Sequence, residues 1–359
     1  MQFSLRPLQK WSQAPFAVAV ALLVLTVLFS DLGAVHYVSK TAGVATIVAA
    51  QSVLDRNDYD ARILLLSHIP LSTSTSPTAL LASTTGRLWP IRTAYPNDGA
   101  ILPFHRIVAY YGNFYSKGMG VLGEYPREQM LSMLRTETRK WQEADPHTPV
   151  LPAIHYITVV AQGTAGREGN YILRMPDDQM DHALALAREL KGILFLDVQV
   201  GKSTVEKEVP MLEKYLKLPD VHLALDPEFS MKKGDAPGRA IGTMDASDIN
   251  YAAAYLAALT KKYGLPPKVL IVHRFTQGMI TNYKMVRPLP EVQIVINMDG
   301  WGTKEKKKGT YNYIVAPEPI QFTGMKLFYK NDARPPSTGL LSTSEVLNLV
   351  PRPIYIQYQ

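Results

Sequence analysis

Two carboxylic acids stand two positions apart at the end of a short apolar run, Leu223–Phe229, which reads LALDPEF. If the run is an extended strand, Asp226 and Glu228 lie on the same side of it. Two neighbouring carboxyl groups raise the pKa of one of them, which is the condition for a general acid near neutral pH. The pair therefore predicts acid/base catalysis, with Glu228 as the acid. Helix capping by Asp226 is the alternative, and the sequence leaves both open.

Polar residues also stand at the ends of the other predicted strands. In chain order they are Tyr110, Tyr111, Asn113, His155, Tyr156, Asp197, Gln199, His273, Arg274, Asn297, Asp299, Trp301, Asn331, Asp332 and Gln357. In a barrel of parallel strands the carboxyl ends meet at one mouth, where such side chains suit a carbohydrate better than an apolar ligand. We predict that Asp197 and Asp299 assist the pair in catalysis, and that the others, apart from Asn297 and Asn331, bind substrate.

The elements that position these residues alternate between short apolar runs and longer helical patterns, which is typical of βα units around a parallel sheet. The runs are Arg106–Tyr111, Ala153–Val160, Ile193–Val198, Val221–Leu225, Lys268–His273, Val292–Met298, Met325–Tyr329 and Pro353–Tyr358. An open flavodoxin-like sheet needs only about five or six strands. Eight runs in residues 104–359 predict an α/β fold, a single (β/α)8 TIM-type barrel.

Helical patterns separate most of the predicted strands. They are Arg127–Glu143, Asp177–Leu190, Val205–Tyr215, Ala246–Tyr263 and Ser342–Leu349, with a weaker one at Thr310–Val315. The chain ends at the eighth strand without its closing helix. A helix near Asp55–Leu66 could cover that gap.

The first 40 residues predict an export segment, because Arg6 and Lys10 precede an uncharged stretch, Trp11–Ser30. At about 1.5 Å per residue, this stretch is long enough to span a bilayer. A cleaved signal peptide and a retained anchor both fit, and we favour a transmembrane anchor with the barrel on the extracytoplasmic side. Residues 41–103, with the Ser/Thr/Pro-rich Pro70–Pro77, predict a spacer that contains one short helix.

Composition excludes several classes of partner and site. The net charge is +7, but the densest basic run, Lys304–Lys308, is short and lacks an RNA-binding motif, so we predict a solvated loop and no nucleic-acid partner. The chain contains no cysteine, which removes disulfides and thiolate metal sites without indicating a compartment. No cofactor is indicated.

Three strand ends resemble those of family 18 glycoside hydrolases, the chitinase-like barrels. They are Val108–Phe114, Asp226-x-Glu228 and Met298-Asp299. The resemblance implies a substrate-assisted mechanism in which the N-acetyl group of the sugar is the nucleophile. It further implies that Glu228 protonates the leaving oxygen while Asp226 and Asp299 hold the acetamido group. Gly120–Glu124, Leu223–Glu228 and Met298–Gly300 also resemble uncharacterised barrel domains of bacterial envelope proteins.

Three functions remain open at this level. The first is hydrolysis of an envelope or extracellular glycan by carboxylate acid/base catalysis. The second is metal-dependent hydrolysis, for instance of a phosphodiester, with His273, Asp226, Glu228 and Asp299 around a divalent ion. The third is a non-catalytic module whose aromatic residues at positions 110, 111, 156 and 301 stack on sugar rings.

Overall fold

Eight parallel strands form a closed barrel in the computed structural model, which describes residues 53–359. They are β1 (Arg106–Gly112), β2 (Val150–Ala161), β3 (Ile193–Val198), β4 (Val221–Leu225), β5 (Lys268–Arg274), β6 (Val292–Met298), β7 (Phe322–Leu327) and β8 (Tyr355–Tyr358). Strand β1 pairs in parallel with both β2 and β8. Because β1 has a partner on each side, the sheet has no open edge there, and the predicted (β/α)8 barrel is confirmed.

Strand β7 lies three residues earlier than the predicted Met325–Tyr329. Phe322 pairs with Val295 of β6, and Met325 pairs with Met298. The observed strand begins with Phe322, Thr323 and Gly324, where a polar residue and a glycine interrupt the apolar run that marks a buried strand in sequence. The predicted strand also contained Lys326, and the correction moves this residue from near the start of the strand to near its carboxyl end.

Among the described residues, the first two helices precede β1, and the others connect the strands on the outside of the barrel. Their bounds are α1 (Arg56–Leu66), α2 (Pro77–Ala82), α3 (Val121–Glu124), α4 (Arg127–Ala144), α5 (Asp177–Glu189), α6 (Val205–Glu208), α7 (Glu213–Leu216), α8 (Ala246–Tyr263), α9 (Lys304–Thr310) and α10 (Thr343–Leu347). The predicted helix Val205–Tyr215 is interrupted at Pro210, which cannot donate a helical hydrogen bond. Short strands lie at Ile172–Arg174, Met244–Asp245 and Ile280–Thr281, and a π-helical turn at Tyr311–Val315.

The basic run Lys304–Lys308 lies in α9 and is not the predicted solvated loop. Lys307 is 1% exposed, and its Nζ lies 3.0 Å from the Asp332 carboxylate. The same ammonium donates to the carbonyl oxygens of Gly300 and Lys326, each at 2.7 Å. Lys307 therefore connects α9 to β7 through the Lys326 carbonyl oxygen.

Apolar residues form two layers, one between the strands and the helices and one inside the barrel. The outer layer packs the helices against outward-facing strand residues such as Leu196, Leu223 and Val272. The inner layer fills the amino-terminal half of the barrel with residues such as Ala224 and Ile271. Alternate residues of each strand supply the two layers, as the pleat of a strand requires.

Residues 53–103 pack against the barrel, which corrects the predicted spacer over this range. The predicted helix near Asp55–Leu66 forms as α1, but Tyr59 and Ile63 contact the inner layer instead of covering the outside of β8. The Leu66 carbonyl accepts a hydrogen bond from the Arg352 backbone at 2.6 Å. The segment therefore closes the amino-terminal end of the barrel.

The predicted export segment, residues 1–40, and the first part of the predicted spacer lie outside the described residues. Within residues 53–359, none of the helices combines the length and hydropathy needed to cross a bilayer.

Candidate functional site

A cavity of about 620 Å³ opens at the carboxyl-terminal mouth of the barrel. Its size falls within the range of about 300–1,000 Å³ that is usual for ligand pockets. The lining residues include Tyr111, Met119, Gln199, Asp226, Glu228, Phe229, Phe275, Asp299, Trp301, Lys306, Lys326, Phe328, Asn331 and Gln359. Six of the predicted site residues, at positions 111, 199, 226, 228, 299 and 301, are thus brought together in one cavity.

The end of β4 brings both members of the carboxyl pair to the cavity. Asp226 follows the strand in extended conformation, and a short 3-10 turn, Pro227–Phe229, comes next. The Asp226 carboxylate accepts from the Glu228 backbone N–H at 3.2 Å and from Gln199 Nε2 at 3.1 Å. Asp226 therefore caps the turn and also lines the cavity.

Burial raises the pKa of both acids of the pair. The pKa of Glu228 rises to about 7, because burial and the charge of Asp299 outweigh the opposing effects of Lys326 and His273. The pKa of Asp226 rises well above its usual value through burial, and the neighbouring carboxylates add to the rise, although His273 opposes it. At neutral pH the mouth therefore holds at least one carboxyl group that carries a proton.

Asp299 follows β6 and lines the same cavity, but its pKa is lowered, whereas the pKa values of Asp226 and Glu228 are raised. Burial alone would raise the pKa of Asp299, but Lys326 and His273 lower it to about 2. Lys326 Nζ lies 3.0 Å from one oxygen of Asp299, and His273 Nδ1 lies 3.0 Å from the other. Asp299 is an ionised carboxylate that contacts Lys326 and His273, in the same cavity as Glu228, whose pKa is about 7.

Lys326 belongs to the site, although it was absent from the sequence prediction. Its ammonium lies 3.7 Å from the centroid of the Tyr111 ring, within range of a cation–π contact. The predicted strand contained Lys326 but began three residues late, which put this residue near the amino-terminal end of the strand instead of at the mouth.

Asp197 lies beneath the cavity and does not line it. It is fully buried, with the Nε2 atoms of His155 and His273 at 3.6 and 3.7 Å from its carboxylate. These three residues are a group whose ligand atoms all lie within 4.8 Å of one another, the spacing at which they could hold a metal ion. The predicted metal set differs, because it joined His273 to the acids at 226, 228 and 299.

Gln357 and Asn297 also lie beneath the cavity, in a buried network. Asn297 Nδ2 donates to Gln357 Oε1 at 3.2 Å, and Gln357 Nε2 donates to the Tyr355 hydroxyl at 3.1 Å. Gln357 faces the barrel axis as predicted, but other protein groups occupy its amide. A direct role in substrate binding is therefore not supported by its position.

Three predicted binding residues from β1 and β2 do not line the cavity. Tyr110 and Tyr156 lie in the outer layer, where Tyr110 bonds to the Tyr329 hydroxyl at 2.9 Å and Tyr156 stacks on Phe114. Asn113 is buried and donates to the Tyr156 hydroxyl at 3.3 Å. The predictions overlooked strand alternation, which sends Tyr110 outward while its neighbour faces the mouth.

Arg274 and Asp332 also do not line the cavity, because each forms an ion pair within the protein. Arg274 is the last residue of β5, is fully buried and pairs with Glu318. Asp332 pairs with Lys307 and accepts from the Phe328 backbone N–H at 2.9 Å. Each satisfies a buried charge, so neither is available to a ligand in the cavity.

An aromatic residue marks the rim of the cavity. Trp301 is 49% exposed, and Lys306 and Arg334 lie over its ring at 5.2 and 6.0 Å from the centroid. Trp301 also lines the cavity, so its exposed ring is open to a ligand there. Its face is suited to stack on the apolar face of a sugar ring.

Comparisons with known proteins find distant similarity to solved structures alone. No family model and no curated protein matches the chain. A ruminal GH26 endo-β-1,4-mannanase matches with 11% identity over 70% of this chain and 58% of its own, at a TM-score of 0.35. The chain thus spans less than two thirds of that mannanase. A Bacillus subtilis mannanase matches with 12% identity, 71% and 79% coverage and a TM-score of 0.36.

A Humicola insolens cellobiohydrolase matches with 13% identity, over 71% of this chain and 75% of its own, at a TM-score of 0.27. At such identities and TM-scores these likenesses carry no argument about the chemistry of this chain. The resemblance to family 18 stays a prediction from the strand ends.

Proposed function

We propose that this protein hydrolyses glycosidic bonds in a polysaccharide, with Glu228 as general acid and Asp299 as the ionised carboxylate. One observation carries the proposal. Two carboxyl groups line the same cavity, and their surroundings move the pKa of Glu228 up to about 7 and that of Asp299 down to about 2. Acid/base pairs of this kind are how glycosidases divide their work between two acids.

In the proposed reaction, Glu228 transfers its proton to the glycosidic oxygen as the bond to the anomeric carbon breaks. Positive charge develops on the sugar, and the Asp299 carboxylate stabilises it. Lys326 and His273 each contact one oxygen of that carboxylate and hold it in its ionised form. A water molecule then forms a bond from its oxygen to the anomeric carbon and gives one of its protons to the Glu228 carboxylate, which restores the acid.

Substrate binding is assigned to the residues between the acids and the rim. Trp301 supplies an exposed stacking face, and Tyr111 and Gln199 present polar groups within the cavity. The proposed substrate is an envelope or extracellular glycan, because the basic and apolar residues 6–30 predict export. That location rests on the sequence alone.

Substrate assistance is the finer form of the proposal and follows from the resemblance to family 18. On an N-acetylated sugar, the acetamido oxygen would attack the anomeric carbon, and Asp226 would orient the acetamido group. Asp226 lies 2% exposed at the cavity wall with a raised pKa, so its protonated form has a hydrogen to donate. Turnover of N-acetylated glycans, with none of their non-acetylated counterparts, is the expected signature.

The test is glycan turnover by the full-length chain and by Glu228→Gln, on a panel of N-acetylated and non-acetylated polysaccharides with a phosphodiester for contrast. We expect release of reducing ends by the wild type and a fall of about 10³-fold in Glu228→Gln, since general acids contribute about 10²–10⁴-fold. Glu206→Gln, at an exposed glutamate outside the cavity, is the matched control.

Two results would reject the proposal. One is turnover by Glu228→Gln at the wild-type rate, with circular dichroism spectra showing that both proteins are folded. The other is glycan binding with no turnover of any member of the panel, which would identify a non-catalytic binding module. Cleavage of the phosphodiester alone would assign the cavity to a different reaction.

A further inference from the structure

Three ligand atoms from three different strands converge inside the barrel, below the cavity. They are Nε2 of His155 on β2, a carboxylate oxygen of Asp197 on β3 and Nε2 of His273 on β5. The Asp197 oxygen lies 3.6 Å from the first nitrogen and 3.7 Å from the second. All three side chains are fully buried.

Hydrogen bonding among these residues does not explain their arrangement. The separations exceed the 2.7–3.2 Å of an N–H···O bond by about 0.5 Å. Neither Nε2 atom nor either oxygen of Asp197 has a hydrogen-bond partner among residues 53–359. Buried polar atoms without close partners are costly and rare in folded proteins, and a bound ion would satisfy all four of these at once.

The two separations from Asp197, 3.6 and 3.7 Å, are close to those in the ligand shell of a metal ion. With metal–nitrogen and metal–oxygen bonds of about 2.1 Å, tetrahedral ligands lie about 3.4 Å apart. Two imidazoles and one carboxylate are a ligand set that suits Zn²⁺ and similar divalent transition metals.

The other nitrogen of each histidine is held in place. His155 Nδ1 lies 2.6 Å from the Tyr355 hydroxyl, and His273 Nδ1 lies 3.0 Å from Asp299. Metal-binding histidines characteristically use the second ring nitrogen in this way, which fixes the ring and directs the free nitrogen at the ion. Both rings here present Nε2 to the same point.

We propose that His155, Asp197 and His273 bind one Zn²⁺-like divalent ion inside the barrel, as a centre distinct from the acids at positions 226 and 228. Tyr111 contacts both imidazole rings, at 5.2 and 6.0 Å between centroids, and also lines the cavity. The ion therefore joins three strands and supports the residue that forms the cavity floor.

The experiment measures zinc in the full-length chain, produced without a histidine tag in zinc-supplemented medium and passed through gel filtration. Elemental analysis of the wild type, Asp197→Asn and His273→Gln is compared with His222→Gln. His222 is a matched control, because it is a fully buried imidazole on β4 that bonds to the Val269 backbone and lies outside the group.

We expect about one Zn²⁺ per chain in the wild type and in His222→Gln, and less than a tenth of that in the other two variants. X-ray absorption of the zinc-loaded wild type should show two imidazole ligands at about 2.0–2.1 Å. This measurement needs no variant, so it decides the matter even if a substitution prevents folding. Wild-type protein without zinc, variants at the wild-type zinc content, or a spectrum without imidazole would each overturn the proposal.

Discussion

The two halves of the barrel interior contrast in chemistry although the same strands build both. On several strands the inward-facing residues change from apolar to polar towards the carboxyl end, as Ile271 to His273 on β5 and Ala224 of β4 to the following Asp226 show. In the amino-terminal half, α1 covers a layer of aliphatic and aromatic side chains. In the carboxyl-terminal half, carboxylates, imidazoles and Lys326 surround the cavity.

The contrast separates the source of stability from the source of chemistry. Apolar burial in the lower half stabilises the barrel, and Arg106, a buried cation at that end, is paired with Asp145. The upper half keeps several ionisable groups out of water, which is unfavourable unless each is paired. A barrel tolerates this at the mouth because the lower half supplies the free energy of folding. Substitutions in the two halves should therefore have different effects.

The largest expected effect is at the mouth. Asp299→Asn removes the negative charge that the reaction is proposed to need, and kcat/KM should fall by about 10³-fold, equivalent to about 4 kcal/mol of transition-state free energy. Steady-state turnover of the best glycan substrate measures it. A fall of less than tenfold would show that Asp299 is not the partner of Glu228.

The matched control for this substitution is a carboxylate at the opposite end of the barrel. Asp145 accepts from Arg106 at 2.9 Å and takes no part in the cavity. Asp145→Asn should lower the free energy of unfolding and leave kcat/KM at the wild-type value. Equal losses of activity in both variants would contradict the division between the two halves.

The second prediction concerns the lower half. Ile271→Ala, at a fully buried inner-layer position, should lower the free energy of unfolding by about 2–5 kcal/mol, through lost apolar burial and the cavity left behind. Denaturant unfolding measures the loss. Because Ile271 precedes His273 on the same strand, unchanged kcat in the folded variant would show that the two halves are energetically separate. A fall in kcat of more than tenfold would show that they are coupled.

The sequence predicted this architecture better than it predicted the orientation of side chains. Eight apolar runs were enough for a closed barrel, because a parallel strand buried on both faces is marked by its apolar content alone. Orientation needs the register of each strand as well. Tyr110 and Tyr111 are both aromatic, and only the position of β1 in the closed sheet sends the second to the cavity.

Two other features depend on tertiary contacts that no local pattern records. Lys326 lies in a strand whose start the sequence misplaced, and its buried ammonium is paired with Asp299, which follows β6 and lies 3.0 Å away. Residues 53–103 contain a Ser/Thr/Pro-rich stretch typical of a spacer, yet Tyr59 and Ile63 find an apolar surface at the base of the barrel. In both cases the deciding partner is distant in sequence.

The third prediction uses the protonation of the mouth. Because Glu228 must carry its proton and has a pKa of about 7, kcat/KM should fall tenfold per pH unit above about pH 7. The folded pKa exceeds the ordinary value of 4.5, so this group's contribution to stability is present below pH 4.5 and is lost as pH rises through about 7.

Lys326→Met sharpens the same measurement. The Lys326 ammonium lowers the pKa of Glu228, so its removal should move the basic limb of the pH profile to higher pH. Lys330→Met, at an exposed lysine paired with Glu124, is the control and should leave the limb in place. A limb that does not move in Lys326→Met would mean that another group sets the profile.

The smallest expected effect is at the rim. Trp301→Ala should raise KM by about threefold to tenfold with kcat unchanged, because a stacked aromatic ring contributes about 0.5–1.5 kcal/mol to binding. Tyr313→Ala, which removes an aromatic ring that is 77% exposed outside the cavity, is the control and should change neither constant. If Trp301→Ala lowers kcat as well, the ring acts on the transition state, and the chemistry of the mouth extends outward to the rim.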